Sequence, residues 1–586
     1  MVVTAGAVVD LVPSQPAVLT VTPASLEGIV EELAAYHAAF APCFPYQAQR
    51  VWSEVYLRGL LVADVPRKNI EAVALRLLGA GEAADRQVRA LQHFVGEGAW
   101  DDAAVLRAHW RLVDQTLGEA EGVLMVDGSD VPKQGTHSAG VARQWCGALG
   151  KRANCQAGVF VGYASRRGYT LLDRRLYLPA PWFSPEYRER WQACAIPPET
   201  RFATKPLLAA ELVEGILASG TVRARWLTCD EGFGDDPAFL DRIAASGLWY
   251  LAEVSRSTHV WPLAAPDGQT ARAAPGVWVP PQTASRKGPA PTRVRLAPES
   301  PAPQTVAAWA AQVPADAWQR YRILEGAKGP LLADFVAVRV VAVRDRLPGP
   351  TVWLVIRRTV PAPGEAPVYK YYLSNAPGDL PLVALVWVSG MRWPIERCFT
   401  EGKDELGLDH YECRFWRGWH HHMTLVILAH HFLVRLQGRL NQREGGPAAT
   451  PFPGPGTRQG WAGHDAAAPA PAGLPGAAPR PAGPPESDAG APALAGGAPA
   501  AGLRPRCGAR ADRLSTAAQG RRLLLASASP PPPGTPCPAA RHAGHYPTDA
   551  ARTTPRSSHR ARDHPRAPGG RQCLVVILGS RCPSGE

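Results

Sequence analysis

Two short apolar runs, each ending in an aspartate, set the strongest limit on how this chain folds. "GVLMVDGSD" (122–130) and "RWLTCD" (225–230) each read as a buried strand that delivers a carboxylate at its end. "QAGVFVGYAS" and "YTLLDRRLYL" read as neighbouring strands. The second acid opens a longer unit, "ARWLTCDEGFGDDPAFLDRIAASGLWYLAEVS" (224–255), which predicts strand, glycine turn, helix and strand. Within it Asp236 suits a helix N-cap and Pro237 the first helical position. The chain is therefore α/β. At 586 residues it is too long for one ordinary core.

The flanking sequence divides by periodicity. Residues 25–120 carry apolar residues at helical spacing, as in "VWSEVYLRGLLV" and "AAVLRAHWRLVDQTLG". Residues 256–375 are Pro-rich and then β-like ("FVAVRVVAVR", "TVWLVIRRTV", "VYKYYLS"). After them come "RWPIERCFTEGKDELGLDHY" (392–411) and a long helix, "HHHMTLVILAHHFLVRLQGRL". From residue 445 the composition turns abruptly to Pro, Ala, Gly and Arg without a persistent period, and no packed core is expected there. A disordered basic arm and an out-of-frame translation of GC-rich DNA both account for that tail.

Charge and cysteine content narrow the function classes. The tail holds sixteen Arg, no Lys and seven acids, a net +9 of the chain's +12, which leaves +3 for residues 1–444. The basic balance thus says little about what the folded part binds. The eleven cysteines are scattered with no CxxC pair, which points to reduced thiols in a cytoplasmic protein. No signal peptide and no apolar stretch of about 18 residues is seen, so no membrane span is expected. His420, His421, His422, His430 and His431 lack zinc-ligand spacing. They are expected to line a helix face that packs under the 392–411 segment or touches DNA.

Asp127 and Asp230 at the ends of adjacent strands, with Glu396 on a helix across them, would repel one another and be driven toward protonation. Oxygen-only ligands of this kind suit Mg²⁺, and two such ions serve phosphodiester cleavage. Glu396 and Lys403 lie seven residues apart on one helix face, roughly 10 Å, too far to pair with each other. Each needs another partner.

The segment "RWPIERCFTEGKDELGLDHYECRFWRGWHHHMTLVILAHHFL" closely resembles the last catalytic block of bacterial insertion-sequence transposases with a DDE triad, more narrowly the insertion-sequence 701 type of the insertion-sequence 4-like group. There an Arg is followed after three residues by a Glu and after six more by a Lys. Arg392, Glu396 and Lys403 fit that pattern. "VDGSDVPKQGTHSAGVARQWCGALGKRANCQAGV" is similar to the first-Asp block, "CDEGFGDD" to the second, and "YLSNAP" to the strand entering the last. The resemblance runs in order over about residues 40–440.

The resemblance implies an RNase H-like mixed sheet flanked by helices, interrupted by a β-rich insertion and preceded by a helical N-terminal region. On that basis the chain divides into a leader (1–24), a helical, DNA-binding region (25–120), the core in two parts (121–255 and 376–444), the insertion (256–375) and the tail (445–586). It implies Asp127, Asp230 and Glu396 as catalytic metal ligands for two Mg²⁺, with Mn²⁺ as substitute. Asp130 and Glu401 are the rivals for the first and last places. Ser129 stands where the family usually has Thr, Phe233 is the aromatic of the second block, and Ser389 replaces a frequent Tyr. Arg392 and Lys403, with Trp393 beside them, are the implied DNA contacts, the cations matched to phosphates rather than to the carboxylates; Lys133 and Arg143 are nominated besides, against plain surface charge. The implied partners are the element's terminal inverted repeats and target DNA, engaged by a homodimer, and the implied chemistry is end cleavage followed by 3′-OH joining. An inactive remnant that only binds DNA, and a nuclease that does not join strands, are the alternatives.

Overall fold

The computed structural model describes residues 9–10, 28–266, 271–278, 294–326, 329–361 and 364–443. The tail expected over 445–586 and all but two residues of the leader expected over 1–24 lie outside the described residues. Five helices open the chain: α1 Ile29–Ala38, α2 Gln47–Leu61, α3 Ile70–Leu78, α4 Ala84–Gly96 and α5 Asp102–Leu117. Asn69 and Asp101 cap α3 and α5 by accepting the amides of Ala72 and Ala103, which satisfies donors that a helix start leaves free.

The strands that follow are β1 Val123–Pro132, β2 Ala142–Cys146, β3 Lys151–Ser165, β4 Gly168–Tyr177, β5 Trp226–Cys229 and β6 Trp249–Val254. In space the core order is β4-β3-β1-β5-β6. β1, β3 and β4 are antiparallel neighbours, while β1, β5 and β6 run parallel. The parallel pairs need crossovers, supplied by α6 Lys205–Ala218 before β5 and α7 Pro237–Ala245 before β6. Asp236 caps α7 as expected, accepting from Ala238 N and Phe239 N at 3.0 and 3.1 Å. Three antiparallel strands continued by two parallel ones, with helices over the sheet, make an RNase H-like fold.

The β-rich stretch does not stand apart from this core. β7 Gln319–Gly326, β8 Gly329–Arg344, β9 Leu347–Thr359 and β10 Tyr369–Ser374 extend the same sheet. β10 pairs antiparallel with β6 through Tyr371↔Val254 to Ser374↔Leu251, so the free edge of β6 is covered and, among the described residues, the sheet reaches 13 strands. Two helices, α8 Leu382–Gly390 and α9 Trp393–Asp404, then lead to α10 Trp416–Arg443.

α10 is 28 residues long, about 42 Å, and residues 418–432 are buried without a break. A helix buried all round must satisfy any polar side chain it carries. Its histidines do so by tying the N-terminal helices to the sheet. His431 meets Tyr36 Oη at 3.2 Å and Thr116 Oγ1 at 2.9 Å. His422 meets Tyr56 Oη at 2.9 Å. His421 stacks on Trp100 with ring centres 3.6 Å apart. His430 bridges Thr170 at 3.0 Å and Glu401 on α9 at 3.1 Å. Of the five, only His430 and His422, which meets the Leu408 carbonyl at 3.3 Å, pack under the 392–411 segment; His421 and His431 face the N-terminal helices instead, His420 bonds to the Trp416 carbonyl of its own helix, and all five are buried. Among the described residues no helix is long and apolar enough to cross a membrane, and the seven described cysteines are free thiols.

Candidate active site

The β1·β5 register pairs Val126 with Cys229. The next residue on each strand is an aspartate, so Asp127 and Asp230 leave the sheet side by side. Both approach strands are fully buried: Val123 to Val126 have no exposure, nor do Trp226, Leu227, Thr228 and Cys229. The apolar runs thus anchor the two acids from below. β1 does not stop at Asp127 as the sequence suggests. β3 pairs with it through Pro132, whereas β5 ends at Cys229, and the chain there turns into a short helix at Glu231–Gly234. That turn packs on β6. A β-carbon added to Gly234 would stand 1.9 Å from the Glu253 carbonyl oxygen, so only glycine lets Asp230 sit so close to the neighbouring strand.

Glu396 lies in the first turn of α9 and Arg392 just before that helix. Arg392 binds the acids together. Its guanidinium is 2.6 Å from Glu396, 3.6 Å from Asp127 and 3.4 Å from Glu253. Four residues apart, Arg392 and Glu396 share a helix face, a spacing outweighed in the sequence by the more distant Glu396–Lys403 pair. The guanidinium expected to face phosphate therefore rests on carboxylates. Glu253, on β6, was not singled out from the sequence. It also accepts Lys370 Nζ from β10 at 2.8 and 3.0 Å.

The site holds more negative charge than it neutralises. Burial, then the neighbouring Asp230, push the Asp127 carboxyl up to about 7 against the pull of Arg392. Burial also raises Asp230, with Arg392 acting the other way. Asp230 Oδ1 and Ser129 Oγ are buried without a hydrogen-bond partner. An all-oxygen donor set, an orphaned carboxylate oxygen and excess buried negative charge fit a hard divalent cation. Among the described residues no three acidic, His or Cys side chains already stand close enough to share one ion.

The rivals occupy other surroundings. Asp130 pairs with Ala157 in the same register that opposes Asp127 to Phe160, so the odd separation turns it to the opposite sheet face. There it accepts Gly147 N at 2.8 Å and faces Lys205. Glu401 accepts from Tyr169 Oη at 2.9 Å and Arg397 at 3.1 Å and meets His430. Ser389 donates to the Val386 carbonyl within its own helix, and Phe233 is buried beneath the Asp230 turn.

The nominated DNA contacts separate into two groups. Lys133 is turned inward. Its ammonium donates to the Tyr411 carbonyl at 3.1 Å and lies 3.6 Å from the centre of that ring, and burial pushes its pKa down to about 8. Its charge holds the 411 segment rather than the surface. Trp393 is 40% exposed, with Arg397 over its ring. Arg143 is exposed and Lys403 partly exposed.

A family model described as DDE superfamily endonuclease matches residues 39–330, a span that includes Asp127 and Asp230 and stops before Glu396. A probable transposase for insertion sequence element IS701 from Microchaete diplosiphon is 28% identical over 206 residues. The match covers 35% of this chain and 48% of the relative, so it spans about half of that protein's length.

Proposed function

For a chain that belongs to the DDE superfamily of endonucleases, we propose that it is the transposase of an insertion element, cutting the element's ends and joining the freed 3′-OH to target DNA. The observation that carries this reading is the β1·β5 register, which sets Asp127 beside Asp230 while Arg392 ties Asp127 to Glu396 on α9. Asp127, Asp230 and Glu396 are the residues that would hold Mg²⁺, or Mn²⁺ in its place. Bound there, the ions supply activation of the attacking hydroxyl group and neutralisation of charge on the leaving 3′ oxygen.

The chain's own groups do the rest. Arg392 is held at the rim of the cluster by Glu253, so a guanidinium released from Asp127 and Glu396 stays within reach of a scissile phosphate. Lys403 presents its ammonium on the same face of α9 as Glu396, roughly 10 Å along, where the next phosphate of the strand passes. Trp393 offers an exposed ring at the start of α9, with Arg397 over it. End cleavage and joining use one arrangement, because both replace one oxygen on phosphorus with another. The chain acts on DNA in the cytoplasm, at the nucleoid, as a homodimer that pairs two ends.

A duplex carrying the inverted repeats that flank the gene tests this. Incubation with Mg²⁺ and a target plasmid is expected to give nicked ends and joined products. Nicking without joining identifies a nuclease. Specific binding without nicking identifies an inactive remnant.

A further inference from the structure

We propose that the hairpin made by β2 and the start of β3 is a further DNA-contacting surface, with Trp145 at its centre and Arg143 and Arg152 beside it. This rests on the DNA-cutting reading above and goes beyond it in naming where the duplex leaves the acids. Along β2, Arg143 and Trp145 are exposed while Cys146 is buried, and Gln144 donates to the Cys155 carbonyl at 3.1 Å. Trp145 is 62% exposed on a strand at a sheet edge, and Leu149 just beyond it is 46% exposed.

The register places this patch relative to the site. Trp145 opposes Arg152 and Arg143 opposes Asn154, and directly opposed residues share a sheet face. β3 carries the same face through Gln156 and Gly158 to Phe160, which opposes Asp127. Both registers run without a bulge over these residues. The Arg–Trp–Arg patch therefore stands on the face of the sheet that bears Asp127. Eight residues of strand separate the two, at most about 26 Å, a length covered by about eight base pairs at ~3.4 Å each.

The chemistry of the patch suits a duplex. Neither arginine pairs with a carboxylate among the described residues, so both charges remain for phosphates. The indole gives a flat apolar surface for sugar and base edges, and a two-stranded ribbon is narrow enough for the major groove. The root of the ribbon is fixed: Asn154 Nδ2 donates to the carbonyls of Lys133 and Gly135 at 2.7 and 2.9 Å.

The test uses the full chain, a labelled 30-base-pair duplex of mixed sequence and, for footprinting, a flanking-repeat duplex that the unaltered protein nicks. Trp145→Ala is expected to bind about tenfold more weakly with the same salt dependence, and Trp145→Phe to recover most of that loss. The double variant Arg143→Gln/Arg152→Gln is expected to lower the slope of log K against log salt by ~1.8, two phosphates' worth. In both the Trp145→Ala and the double variant the hydroxyl-radical footprint shrinks on one side of the nick, within about eight base pairs of it. Unchanged thermal melting shows that the fold is intact. If both variants bind with unaltered affinity, slope and footprint while the unaltered protein nicks its duplex, the surface is wrongly assigned. If the unaltered protein neither binds nor nicks DNA, the DNA-cutting reading fails, and this surface with it.

Discussion

Among the described residues, two arginines each gather several acids, and the two clusters are built to opposite ends. In one, Arg174 on β4 pairs with Asp102 at the start of α5 and with Asp173, and donates to the His420 carbonyl at 3.0 Å and Thr424 Oγ1 at 2.6 Å. Burial works to raise Asp102, but Arg174 overrides it and holds the carboxyl well below its usual range. In the other, Arg392 faces Asp127, Asp230, Glu253 and Glu396, Asp127 is pushed up to about 7, and an oxygen of Asp230 has no partner. The first cluster is knit into the fold by its hydrogen bonds, although Arg174 Nε lacks a partner and burial raises Asp173. Buried charge left in excess awaits something from outside.

The first way to break the comparison is acid. Burial keeps the junction imidazoles neutral in the fold, with His109 and His421 lowered to about 4, His420 and His422 to about 3, and His431 well below its ordinary value. An unfolded imidazole takes its proton near 6.5. Between those values the unfolded chain binds protons that the fold refuses, so stability is whole above pH 6.5 and falls as the pH drops toward 4. Each histidine contributes at most ~1.4 kcal/mol per pH unit, and five acting together make the largest effect expected here. Thermal melts between pH 8 and 5 measure it, and a Tm that stays level across that range contradicts the picture of a neutral, buried junction.

The second is to remove one partner from each cluster. Asp102→Asn removes one of the two carboxylates that hold buried Arg174, leaving Asp173 at 3.3 Å, and is expected to cost roughly 3 kcal/mol in urea unfolding. Asp127→Asn relieves a buried excess and is expected to raise the metal-free Tm instead, by about 2 °C for about 1 kcal/mol. Losses of equal size at both sites erase the distinction. The smallest effect concerns Lys403. Lys403→Ala is expected to weaken binding to all duplex sequences alike and to lower the salt slope by ~0.9, read by anisotropy titration. A sequence-dependent loss identifies a base contact in place of a phosphate contact.

How much of this was legible in the sequence follows from how far each feature reaches along the chain. Asp127 and Asp230 stood out because each is announced by its own apolar run. Glu396 stood out because Arg392 and Lys403 lie on the same segment. Glu253 carried no such local mark: its place beside Arg392 depends on β6 pairing with β5 on one side and, on the other, with β10, which lies more than a hundred residues along the chain. The same long-range pairing merged the β-rich stretch with the core sheet. The histidine run showed by spacing what it was not, but only the packing of α10 against Tyr36, Tyr56 and Trp100 showed what it was. Lys133 reads as a surface cation until Tyr411, 278 residues later, is seen to hold it.

The central claim is that the cluster of Asp127, Asp230 and Glu396 is the cutting centre and the cluster around Arg174 is not. Mg²⁺-dependent nicking of a plasmid carrying the flanking repeats, compared between Asp230→Asn and Asp102→Asn at a temperature where both are folded, tests it most directly. Asp230→Asn is expected to bind the plasmid but lose nicking by several orders of magnitude, while Asp102→Asn, once folded, nicks at close to the unaltered rate. Nicking by Asp230→Asn at the unaltered rate would contradict the assignment of the site.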